Sequence, residues 1–172
     1  IIPRKTINEL SKLATETTGE VEVSLSANQI RFVLGDVVLS SRLIDGTYPE
    51  YEKVIPSNNE KILQADVKTL TNVIERVAVV SEKSRGIKLA ISSGLLQVFA
   101  ASADEGSAED EMDAIYDNDS LEIGFNYRYL LDILGQVKGD NVRMKLNDGT
   151  SPVILQDEAD TESLFVLMPM RV

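Results

Sequence analysis

The segments RKTINELSKLA, QADVKTLTNVI and FNYRYLLDILG place Leu10, Leu70 and Leu130 at a constant spacing of 60 residues, and the register extends to both sides. A fixed period of this size marks one unit of supersecondary structure used repeatedly, which restricts the fold more than any single motif does. Thr6, Asp66 and Asn126 fall in register, and each has a side-chain oxygen able to accept an unpaired backbone N–H where a helix begins. Thr6 with Glu9 also fits a capping box. Behind each cap the apolar residues keep step: Ile7, Val67 and Tyr127; Leu13, Val73 and Ile133; Ala14, Ile74 and Leu134. This is one face of a 3.6-residue period, so the pattern predicts three short helices, each with a single buried stripe.

After each helix the period changes to two, the mark of half-buried strands. The first unit predicts an inward face of Val21, Val23 and Leu25, then Ile30, Phe32 and Leu34. The second predicts Ile87, Leu89 and Ile91, then Leu96, Val98 and Ala100; the third predicts Val142, Met144 and Leu146, then Val153 and Leu155. A further strand closes each unit, around Val38 to Ile44, Met112 to Tyr116 and Leu164 to Met168. With a short strand before each helix, the unit reads strand, helix, three antiparallel strands. The fold class is therefore α+β.

One sheet face with a single helix on it needs a second copy to complete a two-layer core. Units two and three, from about residue 58, make one complete domain, and unit one is half of another. The stretch DGTYPEYEKVIPSNN between them, with Pro49 and Pro56, reads as a linker. The chain begins at Ile1 without methionine, in what reads as a strand, so a preceding part is expected to be missing.

Cysteine, histidine and tryptophan are absent. That removes disulfides, thiolate or imidazole metal sites, and serine or cysteine nucleophiles served by histidine. No stretch approaches a membrane span and no basic-then-apolar signal opens the chain, so it reads as cytosolic. The net charge of -11 is unevenly spread. The three helices with their lead-ins carry +3, from Arg4, Lys5, Lys12, Lys68, Arg76, Arg128 and Lys138 against Glu9, Asp66, Glu75 and Asp132, which leaves -14 elsewhere. If the helices line one surface and the sheets form the outside, an acidic molecule presents a neutral-to-basic inner face. Such a face can meet a phosphate backbone without reading bases; an ordinary solvated helix face is the alternative.

The acidic run from Asp104 to Asp113 lacks the ligand spacing of a calcium loop and reads as a solvated loop, or a rim that meets basic residues. NDGTSP is a turn, with Gly149 expected at positive φ. Arg4 and Lys5 are either a phosphate contact or a basic strand end. Val79 and Val80, at the end of helix two, suit core packing or an exposed contact equally. The terminal ESLFVLMPMRV is too apolar to be a frayed end. Pro169 stops regular pairing, so Met170, Arg171 and Val172 are expected to form a free, flexible lip.

PRK near the start, DGTYPEYEKVIP, EKSRGIKL, LEIGFNYRYLLDIL, NVRMKLND and the terminal VLMPMR together resemble the bacterial sliding clamp, the beta subunit of DNA polymerase III. The resemblance covers essentially the whole chain. It implies that residues 1–55 are the second half of the clamp's middle domain with its linker, and 56–172 the complete C-terminal domain. The implied DNA-clamp fold has antiparallel sheets outside and helices inside, in a ring-shaped homodimer that encircles double-stranded DNA without sequence specificity and without catalysis, cofactor or metal. Implied partners are the replicative polymerase subunit, the clamp loader and other proteins that carry a clamp-binding peptide rich in Gln, Leu and Phe. Carried over by position, the peptide pocket is Pro49, Lys53, Val54, Asn126, Tyr129, Thr150, Pro152, Val166, Leu167, Met168, Pro169, Met170, Arg171 and Val172. Lys53 stands where arginine is common, Thr150 and Pro152 where valine and serine are usual, and Ser84 near a position often aromatic, which bears on peptide preference. Arg4 and Lys5 match inner-surface DNA contacts. Val79, Val80, Asp104, Glu105, Glu109 and Asp110 match the surface that meets the other protomer. Without a first domain this stretch is not expected to close a ring. The competing reading is an α+β repeat scaffold or protein-interaction module that never touches DNA.

Overall fold

The computed structural model describes residues 1–160 and 162–172. The chain divides into two compact units, Ile1–Glu50 and Tyr51–Val172, with the boundary inside the expected linker.

The first unit holds one helix and one sheet. Helix α1 (Arg4–Glu16) covers a three-stranded antiparallel sheet of β1 (Glu22–Leu25), β2 (Gln29–Leu34) and β3 (Val37–Arg42). Leu10 and Leu13 of α1 pack on Ile30, Phe32 and Leu34 of β2. Three expectations fail here. Thr6 is not the cap: Pro3 occupies that position, and Thr6, buried in the first turn, donates its hydroxyl to Ser41 Oγ at 2.7 Å. Proline needs no N–H partner and has a fixed φ suited to a helix start, so the helix can begin ahead of Thr6, whose hydroxyl then ties helix to sheet. The second concerns Val21, Val23 and Leu25, which are exposed, Leu25 by 70%. Val23 and Leu25 pair with Phe32 and Ile30 and share their face. The α1 leucines, however, lie over β2, and β1 is left as an uncovered edge. Nor do residues 1–3 form a strand, although the Ile1 carbonyl accepts the Ile44 N–H at 2.9 Å.

The second unit contains two copies of the predicted repeat. The first is β4 (Lys61–Asp66), α2 (Val67–Ala78), β5 (Gly86–Ser92), β6 (Leu95–Ser102) and β7 (Gly106–Asp113). A short strand β8 (Ile115–Tyr116) leads to the second copy: β9 (Leu121–Asn126), α3 (Tyr127–Leu134), β10 (Asn141–Leu146), β11 (Val153–Asp157) and β12 (Phe165–Leu167). Both predicted caps form. Asp66 Oδ1 accepts the Thr69 N–H at 2.7 Å, and Asn126 Oδ1 accepts the Arg128 N–H at 3.0 Å.

The copies interlock by exchanging their lead strands. One sheet runs β12-β11-β10-β4-β8 and the other β7-β6-β5-β9, so β4, which leads into α2, pairs with β10 of the second copy, and β9, which leads into α3, pairs with β5 of the first. The helix starts obey the same symmetry: the Val67 N–H donates to the Asp140 carbonyl at 2.8 Å, and the Tyr127 N–H to the Arg85 carbonyl at 3.0 Å. All eleven inward residues predicted for these hairpins are buried, in one core with Leu70, Val73, Ile74, Val77, Leu130 and Leu134 of the helices. At one edge of that core the Asp157 carboxylate accepts backbone N–H groups of Lys138, Gly139 and Ala159, bonds that hold its pKa below the ordinary value.

The closing strand of the first copy differs from expectation. From Gly106 on the acidic run is not a loop but strand β7, with Ala108 and Asp110 half-buried and Met112 buried, while Ile115 and Tyr116 have crossed to the other sheet. Charges along an edge strand oppose pairing with a stray strand, which is why a strand can look like a solvated loop in sequence.

Candidate partner-binding site

Strand β12 forms the outer edge of the five-stranded sheet and, among the described residues, pairs with β11 alone, through Phe165, Val166 and Leu167. Helix α3 packs against it. Leu167 turns into the core, whereas Met168 beyond it is 62% exposed. On α3, Tyr129 is 59% exposed although its neighbour Leu130 is completely buried. Val54, on a single 3-10 turn (Tyr51–Val54) with Lys53, is also exposed. Large apolar side chains are thus displayed on three elements of the second unit. Pro49 belongs to the first unit and is exposed there.

Thr150 and Pro152 lie in the β10–β11 turn, which Asp148 organises. Its carboxylate accepts the Thr150 and Ser151 N–H groups at 2.7 and 2.8 Å and both of their hydroxyls at 2.8 and 2.9 Å. These bonds favour the charged form and hold the pKa down at about 2, against an ordinary 3.8. Because the folded pKa is the lower one, the stability this turn contributes is present above pH ~4 and is lost as pH falls from about 4 towards about 2. Urea unfolding across that interval should therefore show a shallower acid loss for Asp148→Asn than for the parent chain; identical slopes would remove Asp148 from the acid response. Gly149 does not have positive φ. Its α-carbon instead abuts the Glu122 carbonyl of β9, where a Cβ has no room. Asn59 closes the other side by donating to the Lys145 and Pro152 carbonyls, both at 2.8 Å.

The terminal residues are not a free lip. After Pro169 the chain crosses to the other sheet, where the Met170 N–H donates to the Gly124 carbonyl of β9 at 2.9 Å and Val172 lies against Gly86 and Gly124. Met170, Arg171 and Val172 wall a furrow of 770 Å³ along that sheet's outer face, floored in part by Phe99 and Ala101, with Lys88 and Glu109 along it. Sequence reasoning passed over Gly86 and Gly124; glycine within a strand pattern, at its start or in its middle, was the available signal.

The residues expected at a protomer contact converge on one edge. Helix α2 stops at Ala78, and Val79–Ser81 form a 3-10 turn packed against β6 and β7. The turn separates the two valines: Val80 packs on the core and Val79 is 66% exposed. Asp104 and Glu105 lie in the β6–β7 turn, Glu109 and Asp110 on the edge strand β7. Asp110 is held by both Arg76 Nε at 2.7 Å and Nη2 at 2.6 Å, and that guanidinium, with the Glu111 N–H, keeps its pKa low. Asp104 pairs with Lys83 at 3.2 Å.

Arg4 and Lys5 form the exposed first turn of α1, not a strand end. Of the helix cations, Lys12 pairs with Glu9 and Arg76 with Asp110. Arg4, Lys5, Lys68 and Arg128 are exposed and make no ion pair among the described residues. Lys68 and Arg128 occupy equivalent positions, each the second residue of its helix and two beyond the cap, in helices that pack on each other. The sequence reading counted their charge without marking them as contacts, although the 60-residue register aligns them.

These features define a class: paired strand–helix–three-strand units with an exposed apolar ridge, an acidic open edge and unpaired cations at helix starts. The C-terminal domain of the DNA polymerase III beta subunit matches residues 52–171, and the central domain of that subunit matches residues 1–50. The chain belongs to the DNA polymerase III beta-subunit family, the bacterial sliding clamps. It is 40% identical along its whole length to the beta sliding clamp of Pseudomonas putida and 38% identical to that of Escherichia coli K12, covering 47% of each. The crystal structure of a Bartonella birtlesii sliding clamp bound to griselimycin superposes with a TM-score of 0.94 at 44% identity, over all of this chain and 47% of that one. The chain thus spans about half the length of the relatives it matches.

Proposed function

We propose that this chain is part of a replication processivity factor: a non-catalytic ring that encircles duplex DNA without sequence preference and tethers a replicative polymerase to it. The observation that carries this reading is family membership over both units, in the order central domain then C-terminal domain. In the assembled homodimer, working in the bacterial cytoplasm, the helices face the DNA. Arg4 and Lys5 of the first unit, and Lys68 and Arg128 of the second, meet phosphates, a sequence-independent contact that weakens with salt. The acidic exterior keeps the ring from binding DNA outside its hole.

The second-unit residues Tyr129, Val166, Leu167, Met168, Pro169, Met170, Arg171 and Val172, with Lys53, Val54, Asn126, Thr150 and Pro152, take the short apolar peptide of the polymerase, the clamp loader and other partners. Methionines suit a site that accepts several peptides, because the side chain re-packs at low cost. The edge formed by Val79, Val80, Asp104, Glu105, Glu109 and Asp110 meets the other protomer.

The deciding experiment loads the full-length protein onto nicked circular DNA and then linearises the circle. Retention on the circle and loss from the linear form is the expected result, because a topological link vanishes when an end appears. Equal retention on both forms would point to a surface binder, and retention on neither to a scaffold that does not act on DNA.

A further inference from the structure

Gly86 opens β5 and Gly124 lies inside β9, where glycine weakens a strand, and neither has positive φ. Backbone freedom does not explain them. In the β5–β9 register Gly86 faces Asn126 and Lys88 faces Gly124, while Ile87, Leu89, Ile123 and Phe125 point into the core. Both glycines therefore lie on the outer face, diagonally next to each other. The C-terminal segment rests there. A Cβ on Gly86 would stand 2.5 Å from Val172 Cγ1, and one on Gly124 would stand 2.6 Å from Val172 Cγ2 and also collide with the Met170 carbonyl oxygen. Real carbon contacts begin near 3.5 Å, so neither side chain fits unless the segment moves.

We propose that Gly86 and Gly124 are positioning residues of the partner-peptide site, forming a seat that fixes Met170, Arg171 and Val172 through the Met170–Gly124 hydrogen bond. The claim rests on the reading of those three residues as the peptide-binding lip. Its value is that the two glycines make different predictions. At Gly86 the obstruction is a side chain, with Met170 Cε only at an ordinary 3.7 Å, whereas at Gly124 it includes the tail's own backbone. Truncating Val172 should therefore relieve Gly86→Ala but not Gly124→Ala.

The test uses the whole chain, a synthetic Gln-, Leu- and Phe-rich peptide as probe, fluorescence anisotropy for affinity and amide hydrogen exchange for the seat. In the parent chain the Met170 amide should exchange more slowly than those of Arg171 and Val172, since among the described residues it alone of the three donates to a backbone carbonyl. Gly124→Ala should speed Met170 exchange and weaken the peptide by about tenfold, with and without Val172→Ala. Gly86→Ala should weaken it comparably in the parent chain and add nothing in the Val172→Ala background. An unprotected Met170 amide in the parent chain overturns the seat whether or not the variants fold, as does Gly86→Ala acting equally in both backgrounds. A parent chain that protects Met170 but does not bind the peptide refutes the peptide reading and leaves the seat standing.

Discussion

Alanine at both Met168 and Met170 weakens binding of the Gln-, Leu- and Phe-rich partner peptide by about 2 kcal/mol or more, roughly thirtyfold in Kd. The two methionines reach the site by different routes. Met168 follows the last paired residue of β12, and its side chain is mostly in water, so a peptide that covers it gains the burial of a large apolar group. Met170 is half-buried and its backbone is fixed to β9, so less of the ordering cost falls on binding. The pair is therefore a rigidly mounted, adaptable surface, the kind of place where a few residues carry most of an interface's energy. Calorimetric titration of the double variant checks the value. Neither methionine is among the fully buried core side chains, so the variant should keep the parent's circular dichroism and melting profile. Unchanged affinity in a chain that keeps both would remove the methionines from the site.

Phe125→Ala is expected to cost about 3–5 kcal/mol, because the ring is completely buried and its loss leaves a cavity at the junction of both repeats. At the usual entropy of unfolding per residue, that lowers the melting temperature of the second unit by roughly 12–20 °C. The location gives the experiment its meaning. Phe125 belongs to the strand that leads the second copy, but its ladder partner is Ile87 of the first. If strand exchange makes the two copies one folding unit, calorimetry should show the second unit's transition move down as a whole and remain single. Splitting into two transitions would show that each copy is stable alone, contrary to a shared core. Val79→Ala, on the exposed 3-10 turn, is the control and should shift the transition little.

Legibility in the sequence followed the range of the interaction. The caps at Asp66 and Asn126 were readable because each is completed within three residues by a backbone N–H of the same helix. Ile87, Leu89, Ile91, Val142, Met144 and Leu146 were readable because alternation alone assigns a face once that face is covered. The same rule failed for Val23 and Leu25, which have the right face but no helix above them. Thr6 failed because a capping pattern cannot reveal that Pro3 starts the helix earlier and that Ser41, far along the chain, waits for the hydroxyl. At the site, Met168 and Tyr129 came from family resemblance, and their exposure is visible only when the neighbouring Leu167 and Leu130 take the core positions.

The sequence by itself determined the repeat, its order of elements, the helix starts of the second unit and the inward residues of its hairpins. All of these depend on spacing, capping chemistry and period, which are properties of neighbouring residues. Only the tertiary structure decided that β4 and β9 change places between the copies, that the acidic run is an edge strand, and that Met170 and Val172 come to rest on Gly124 and Gly86. Those outcomes depend on which distant backbones meet and how closely, and a glycine does not announce, in one dimension, which chain will lie across it.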